Sequence, residues 1–417
     1  MGMTLESQPI QARYYGLDGL RAIMMLLGLL LHAIISYMDT PPGGGGWTFR
    51  DPSTHVVWTC LLFFIHIFRM PIFFVMAGFF AALLYQRRGM KRMALNRFTR
   101  ILVPFVVGWL ILLPVTMAGF TFAFAAKASS LGEAWNVVTD SGITGYYEDS
   151  TIHLWFLYYL LLFYVAALVA LPIIRRVPQT WCAWGLGIFG WVITSRLRAV
   201  WLSIPTAAIL VGMGKGGALQ TSVSFIPNKY TFVGYAIFFG FGCLLYQRRD
   251  LLPYFNRGAW LRVVLALILA PVNLWAVQAG LTAGDVGPSL TIVSITAASG
   301  AMIVWLLTFG LTGLFMRYLN RPIPIVRYIV DASYWLYLIH LPFTIWIPGL
   351  LVKLPWPSGV KIATLLLIAT PIWLLSYDWL VRGTFIGKVL NGHRYPRGLP
   401  ALQAITSAQP QPQPETT

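Results

Sequence analysis

Polar punctuation divides the chain into apolar blocks of about 17 to 26 residues, the length a helix needs to cross a hydrocarbon core roughly 30 Å thick. Ten blocks predict ten transmembrane helices, at approximately 18–38, 57–85, 101–126, 153–174, 180–196, 229–247, 259–280, 290–315, 328–350 and 361–382. The fifth is short. After it, Trp201 to Gly214 is apolar but broken by Pro205 and glycines, which reads as an outer loop lying in the interface or a re-entrant piece, not a further crossing. Pro41 to Gly46 reads as a loose outer loop. The Gln-Pro-rich tail cannot bury a core and is expected to be disordered after about residue 400. The predicted class is all-α and polytopic, with a cytoplasmic segment 1–17, a membrane domain 18–385 and a cytoplasmic tail 386–417.

Charge sets the orientation. With the N-terminus inside and ten crossings, the inner segments carry 20 of the 30 Lys and Arg residues and the outer segments carry 8. That asymmetry places both termini in the cytoplasm of a multi-pass inner (plasma) membrane protein. An additional crossing at 200–214 would invert everything downstream and put the basic clusters outside. The net charge of +17 therefore belongs to membrane orientation and not to nucleic-acid binding, which needs a basic face on a soluble scaffold. Hydrophobic content of 58% against 10% charged residues excludes a soluble domain. Cys60, Cys182 and Cys243 lie in or beside apolar blocks without metal or disulfide spacing, so no metal site is expected. The apolar run from Ala22 lacks a small-residue cleavage site and reads as a retained first helix. Leu83-Leu84-Tyr85-Gln86-Arg87-Arg88 recurs at Leu244–Arg249, either as a short internal duplication or as good interfacial anchoring.

Ionisable side chains at membrane depth are the informative ones, because each costs a few kcal/mol unless it faces a cavity. In the first block Arg21 and His32 are eleven residues apart, three turns plus about 20°, so they share a face about 16 Å apart along the axis. Arg21 sits at the inner interface, where it can pair with Asp18 or snorkel, and His32 lies near or just beyond the midplane. An imidazole there can act as a general base or simply satisfy an interhelical hydrogen bond. In the second block Arg69 falls close to the midplane with His66 slightly outward on the same face. Ser333, Tyr337 and His340 form one stripe of the ninth, again reaching mid-depth. His153 and Trp155 open the fourth block at the outer face just after Glu148 and Asp149, as an aromatic belt or as a sugar-receiving mouth. Arg97 and Arg100, at the inner start of the third, are orientation signals or phosphate ligands.

Leu17-Asp18-Gly19-Leu20-Arg21-Ala22 with His32, Phe73-Phe74-Val75 before Gly78-Phe79, Arg97-x-x-Arg100-x-x-x-Pro104, and Ser333-Tyr334 with Tyr337-Leu338-x-His340 together resemble the membrane acyltransferase-3 family. His66-x-Phe68-Arg69-Met70 and His153-Leu154-Trp155-Phe156 are most similar to its glucan biosynthesis protein C subgroup, whose members succinylate periplasmic glucans. The resemblance covers the first four and last three blocks well and 180–300 poorly. Ala77 stands where many members have Ser. The resemblance implies a cytosolic acyl-CoA donor, with succinyl-CoA the expected one, and a periplasmic glucan or other extracytoplasmic glycan as acceptor. It implies His32 as catalytic histidine with Arg21 its motif partner. On this reading His66 or Arg69 supports the reaction, and Arg97, Arg100, Ser333, Tyr337 and His340 serve the donor. His153, Trp155, Glu148 and Asp149 serve the glycan. Expected partners are membrane lipids and further glucan-assembly proteins. A proton-coupled transporter or flippase would use the same midplane groups, but its inverted broken-helix repeats are not seen; a scaffold without chemistry is the third reading.

Overall fold

The computed structural model describes residues 14–40, 47–214, 217–283 and 287–397. The expected loop 41–46, most of the segment 1–17 and the tail after 400 lie outside the described residues. In chain order the helices are α1 (Tyr15–Ile34), α2 (Val56–Arg97), α3 (Val103–Ala128), α4 (Leu131–Asp140), α5 (Trp155–Ile174), α6 (Gln179–Thr194), α7 (Arg198–Met213), α8 (Lys229–Gln247), α9 (Pro253–Asn256), α10 (Ala259–Leu281), α11 (Leu290–Tyr318), α12 (Pro324–Leu351), α13 (Ser358–Ser376) and α14 (Phe385–Asn391). Strand pairing among the described residues is limited to one isolated bridge, Met38 to His55.

Among the described residues eight helical runs are long and apolar enough to cross a membrane, and the bent pair α6–α7 makes a ninth. One run, Val56–Ala128, is 73 residues long, about 110 Å if straight and so more than three times the hydrocarbon thickness. It doubles back. Gly89 breaks α2 with φ +71°, a left-handed conformation that glycine adopts without strain. A π-turn at Phe98–Leu102 then leads into α3, whose Lys127 donates to the Arg50 carbonyl just before α2 begins. The run thus holds two of the expected spans. α2 and α8 cross where Gly78 and Gly242 lie against each other's backbone, so side chains there would force the helices apart.

Two ends of the bundle can be told apart. Arg97, Arg100, Arg175, Arg248, Arg257, Arg327 and Arg382 gather at one, hereafter the basic end, together with the start of α1, whose Gly16 meets the Asn320 side chain. The described residues of the chain connections after α1, α4, α7 and α12 lie at the opposite end, where Trp58 donates to Ser358.

The fifth span is not where hydropathy puts it. Arg248, in the basic connection after α8, reaches the Leu186 carbonyl and lies against Gly190, so α6 is spread across the basic end and not along the bundle. α7, turned 112° from it, runs the length of the bundle. Its Arg198 end meets the Tyr254 carbonyl and the Phe309 ring; its middle bonds α11 through Ser203 to Ala301 and Trp305 to Thr206; its Gly212 end lies against Tyr230 at the start of α8. The stretch that runs through the bundle is therefore 198–213 and not the expected 180–196. Arg198, with Arg196 just before it, belongs to the basic end. Trp181, Trp184 and Trp191 of α6 are exposed, as suits a helix in the interfacial plane.

The connection from Gly217 to Asn228 is the re-entrant element. Gly217 packs against Asn273 and Gly300, and the Leu219 carbonyl accepts from both His66 and the Tyr235 hydroxyl. Backbone without helical partners survives at depth only where side chains take its carbonyls.

Candidate active site

A small closed-in cavity opens between the two ends, lined by Met25, Gly28, Leu29 and His32 of α1; Arg69, Met70 and Phe73 of α2; His153, Trp155 and Phe156 at the head of α5; and Tyr337 and His340 of α12. Arg69 lies about 20 Å along α2 and His340 about 24 Å along α12, from their residue counts at 1.5 Å each. The space open to the centre of a water molecule is about 20 Å³, room for one or two waters.

The imidazoles are joined to one another directly and through backbone carbonyls. His340 Nδ1 is 2.7 Å from the Tyr337 carbonyl, and its Nε2 is 2.6 Å from Nδ1 of His32. His153 Nε2 donates to the Leu338 carbonyl at 2.9 Å, and the Tyr337 hydroxyl donates to the His153 carbonyl at 2.8 Å. The sequence makes the Leu338 acceptor available: Pro342, four residues on, has no N–H to offer it. His153 enters the bundle on a strained turn. Ile152 has φ +45°, unusual for a β-branched residue and costing about 1–3 kcal/mol. The N–H and hydroxyl of Thr151, both on the Val223 carbonyl, hold that turn against the re-entrant segment.

Arg69 is the cavity's only cation and no carboxylate lines the space. The side chain is 8% exposed, and its Nε has no hydrogen-bond partner. The guanidinium lies on Gly28, where an added Cβ would collide with Nη1. Gly28→Ala should therefore displace the guanidinium and leave the helix intact, lowering turnover about ten- to a hundredfold as misplaced groups do, with thermal stability close to wild type. An unchanged turnover would show that Arg69's position does not matter.

Other expected site residues lie elsewhere. Arg21 pairs with Asp18 at 3.6 Å toward the basic end, under Phe80, outside the cavity. His66 is just outside, tied to Leu219. The Ser333 hydroxyl is spent on the Val330 carbonyl of its own helix. Arg100 caps α14 with two hydrogen bonds to the Leu390 carbonyl; nearby Arg97 stacks on Tyr164 and keeps an unpartnered Nε. Glu148 and Asp149 are exposed in the connection before α5. His153 and Trp155, expected at an outer mouth, are instead buried in the cavity wall, because α5 begins deep in the bundle. Trp47 carried no signal in the sequence, yet its ring stacks parallel to His32 at 5.9 Å while its N–H donates to Ser36. Gly28 and the pair Asp51–Lys361, which anchors the Trp47 segment at 2.9 Å, were equally unmarked. Among the described residues no cluster of side chains suits a metal ion.

A sequence model described as an acyltransferase domain matches residues 14–378. Proteins described as glucans biosynthesis protein C from Salmonella paratyphi A and Salmonella agona are each 27% identical over 369 residues, covering 82% of this chain and 84% of the relative. That from Salmonella dublin matches to the same extent. No solved structure matches.

Proposed function

The chain belongs to this acyltransferase family, and from that premise we propose that it carries an acyl group from cytosolic acyl-CoA, succinyl-CoA in particular, to a hydroxyl of a glucan beyond the inner membrane. The observation that carries the reading is the acid-free cavity in which an imidazole chain and an unpaired guanidinium share one space. The name of the Salmonella relatives supports a glucan acceptor.

In the proposed reaction His32 takes the proton from the acceptor hydroxyl as its oxygen attacks the thioester carbonyl. The tetrahedral oxyanion forms near Arg69, then collapses, expelling the thiolate, which recovers the proton from His32. The donor enters from the basic end, taken as cytosolic from its charge, where Arg97 has unpartnered donor capacity for a phosphate; Arg100 serves as a brace for α14. The glycan enters from the opposite end. Arg21, with Asp18, stands on the donor side of the same helix as His32.

Purified protein in liposomes, given succinyl-CoA and glucan, should release free CoA and form an ester seen by mass spectrometry. Absence of both would overturn the proposal in favour of transport. Repeating the assay with Arg69→Gln and acetyl-CoA sorts the guanidinium's duty. A loss of about 10²-fold with both donors marks the oxyanion, and a loss confined to succinyl-CoA marks a clamp on the free carboxylate of the succinyl group.

A further inference from the structure

We propose that His340 is a positioning residue that holds His32 in its Nδ1–H tautomer and so leaves the Nε2 lone pair as the reacting base. The inference rests on the reading of His32 as base, but its geometry stands apart from that reading.

Hydrogen-bond bookkeeping fixes the protons. The Tyr337 carbonyl can only accept, so the 2.7 Å contact requires the hydrogen on Nδ1 of His340. A neutral imidazole carries one N–H, which leaves Nε2 of His340 as an acceptor. That nitrogen lies 2.6 Å from Nδ1 of His32, a separation that needs one hydrogen between the two. With His340 supplying none, it is on His32 Nδ1. Neutral His32 then has a bare Nε2, and the hydrogen bond that the ring makes among the described residues is the one on Nδ1. Which ring nitrogen is protonated is set by the bond the other one makes, and here the chain of settings starts at a main-chain carbonyl.

The rings are also held in place. His32 lies between His340, at 4.9 Å and 21°, and Trp47, at 5.9 Å and 5°. His153 closes the other side of His340 edge-on at 5.2 Å, its own Nε2 committed to Leu338. His340 is 1% exposed and both of its ring nitrogens are committed, to the Tyr337 carbonyl and to His32, so its contribution passes through His32. A buried carboxylate fixes the tautomer of a general-base histidine in serine hydrolases; a histidine and a carbonyl fill that place here, without adding negative charge beside Arg69.

The test reads the tautomer directly. Protein labelled with ¹⁵N in its histidine rings gives ring shifts that separate Nδ1–H from Nε2–H, and His32 is identified as the signal pair missing from His32→Asn. Wild type is expected to show Nδ1–H at His32. His340→Leu should move it to Nε2–H and lower turnover on the order of a hundredfold, with KM for the acyl donor unchanged. His340→Gln, whose amide oxygen can accept in place of Nε2, should keep Nδ1–H and recover much of the turnover. Nε2–H at His32 in the wild type would overturn the proposal, and that spectrum needs no variant of His340. Full turnover in His340→Leu would overturn it equally. If His32 shows Nδ1–H yet His32→Asn transfers acyl groups normally, the positioning geometry stands and the base assignment falls.

Discussion

Replacing His32 with alanine lowers acyl transfer by about 10²–10⁴-fold, the contribution of a positioned general base, in a protein that still folds and inserts. Folding should survive because the side chain lines open space and its hydrogen bond is to one neighbour. Alanine does leave His340 Nε2 unpaired, costing about 1–3 kcal/mol. His32→Asn offers an amide N–H near the Nδ1 position, keeps His340 paired and still supplies no base. It should be as inactive as alanine and more stable. Initial rates of CoA release on detergent-purified protein, alongside thermal midpoints, check both. Wild-type rates in folded His32→Ala would remove the mechanism altogether.

Much of this site was legible at the level of depth. Arg69, His32 and His340 sit at residue counts that bring them to a common level, and α1, α2 and α12 are long enough apolar runs to be placed from sequence alone. Shared depth is not shared azimuth, however. Arg21 falls on the His32 face yet ends three turns away with Asp18, and His66 shares a face with Arg69 yet turns to the re-entrant segment. Partner carbonyls decide such cases, and hydropathy does not encode them. His153 shows the same limit: its place at the start of an apolar run suggests an interface, but α5 begins below the rim, and only Pro342 hinted at a carbonyl waiting for it.

The miss at 180–214 has a physical cause. A helix lying in the interface and one crossing the bilayer are both apolar over a similar length; α6 and α7 have 16 residues each. α6 carries four aromatics and no proline, so it looks the better span, whereas α7 has one aromatic and Pro205 makes it look broken. What separates them is the company of Arg198 and Arg248, each reaching main-chain carbonyls at the basic end. The segment 217–228 has no periodicity to read, because it is held by bonds from His66, Tyr235, Thr151 and Tyr158.

Breaking the ion pair between Asp51 and Lys361 destabilises the protein by about 3–5 kcal/mol, while removing both partners together costs little. Both carboxylate oxygens lie 2.9 Å from the ammonium, with side-chain exposures of 0% and 1%. Burial pushes the Asp51 carboxyl above the usual carboxylate range, against the pull of the Ser53 N–H and of Lys361. Buried ion pairs as a whole add little net stability, because dehydration offsets attraction, even though either half alone is costly. Asp51→Asn or Lys361→Met strands one member of the pair in the core; Asp51→Leu with Lys361→Met leaves no buried charge and frees only the partly exposed Ser53 N–H. The double variant should return to within about 1–2 kcal/mol of wild type, and additive losses would refute the coupling. The raised carboxyl also fixes a sign: the folded chain holds this proton more tightly than the unfolded one. Its contribution to stability therefore falls as pH rises from the ordinary carboxylate value through the folded one, and Asp51→Leu/Lys361→Met should lose that slope. Activity follows the same segment. Asp51 ties residues 47–55 to α13 and, through its N–H on the Ser36 carbonyl, to the turn whose hydroxyl holds Trp47 over His32. The single variants should therefore lose turnover along with stability, whereas the double recovers stability first.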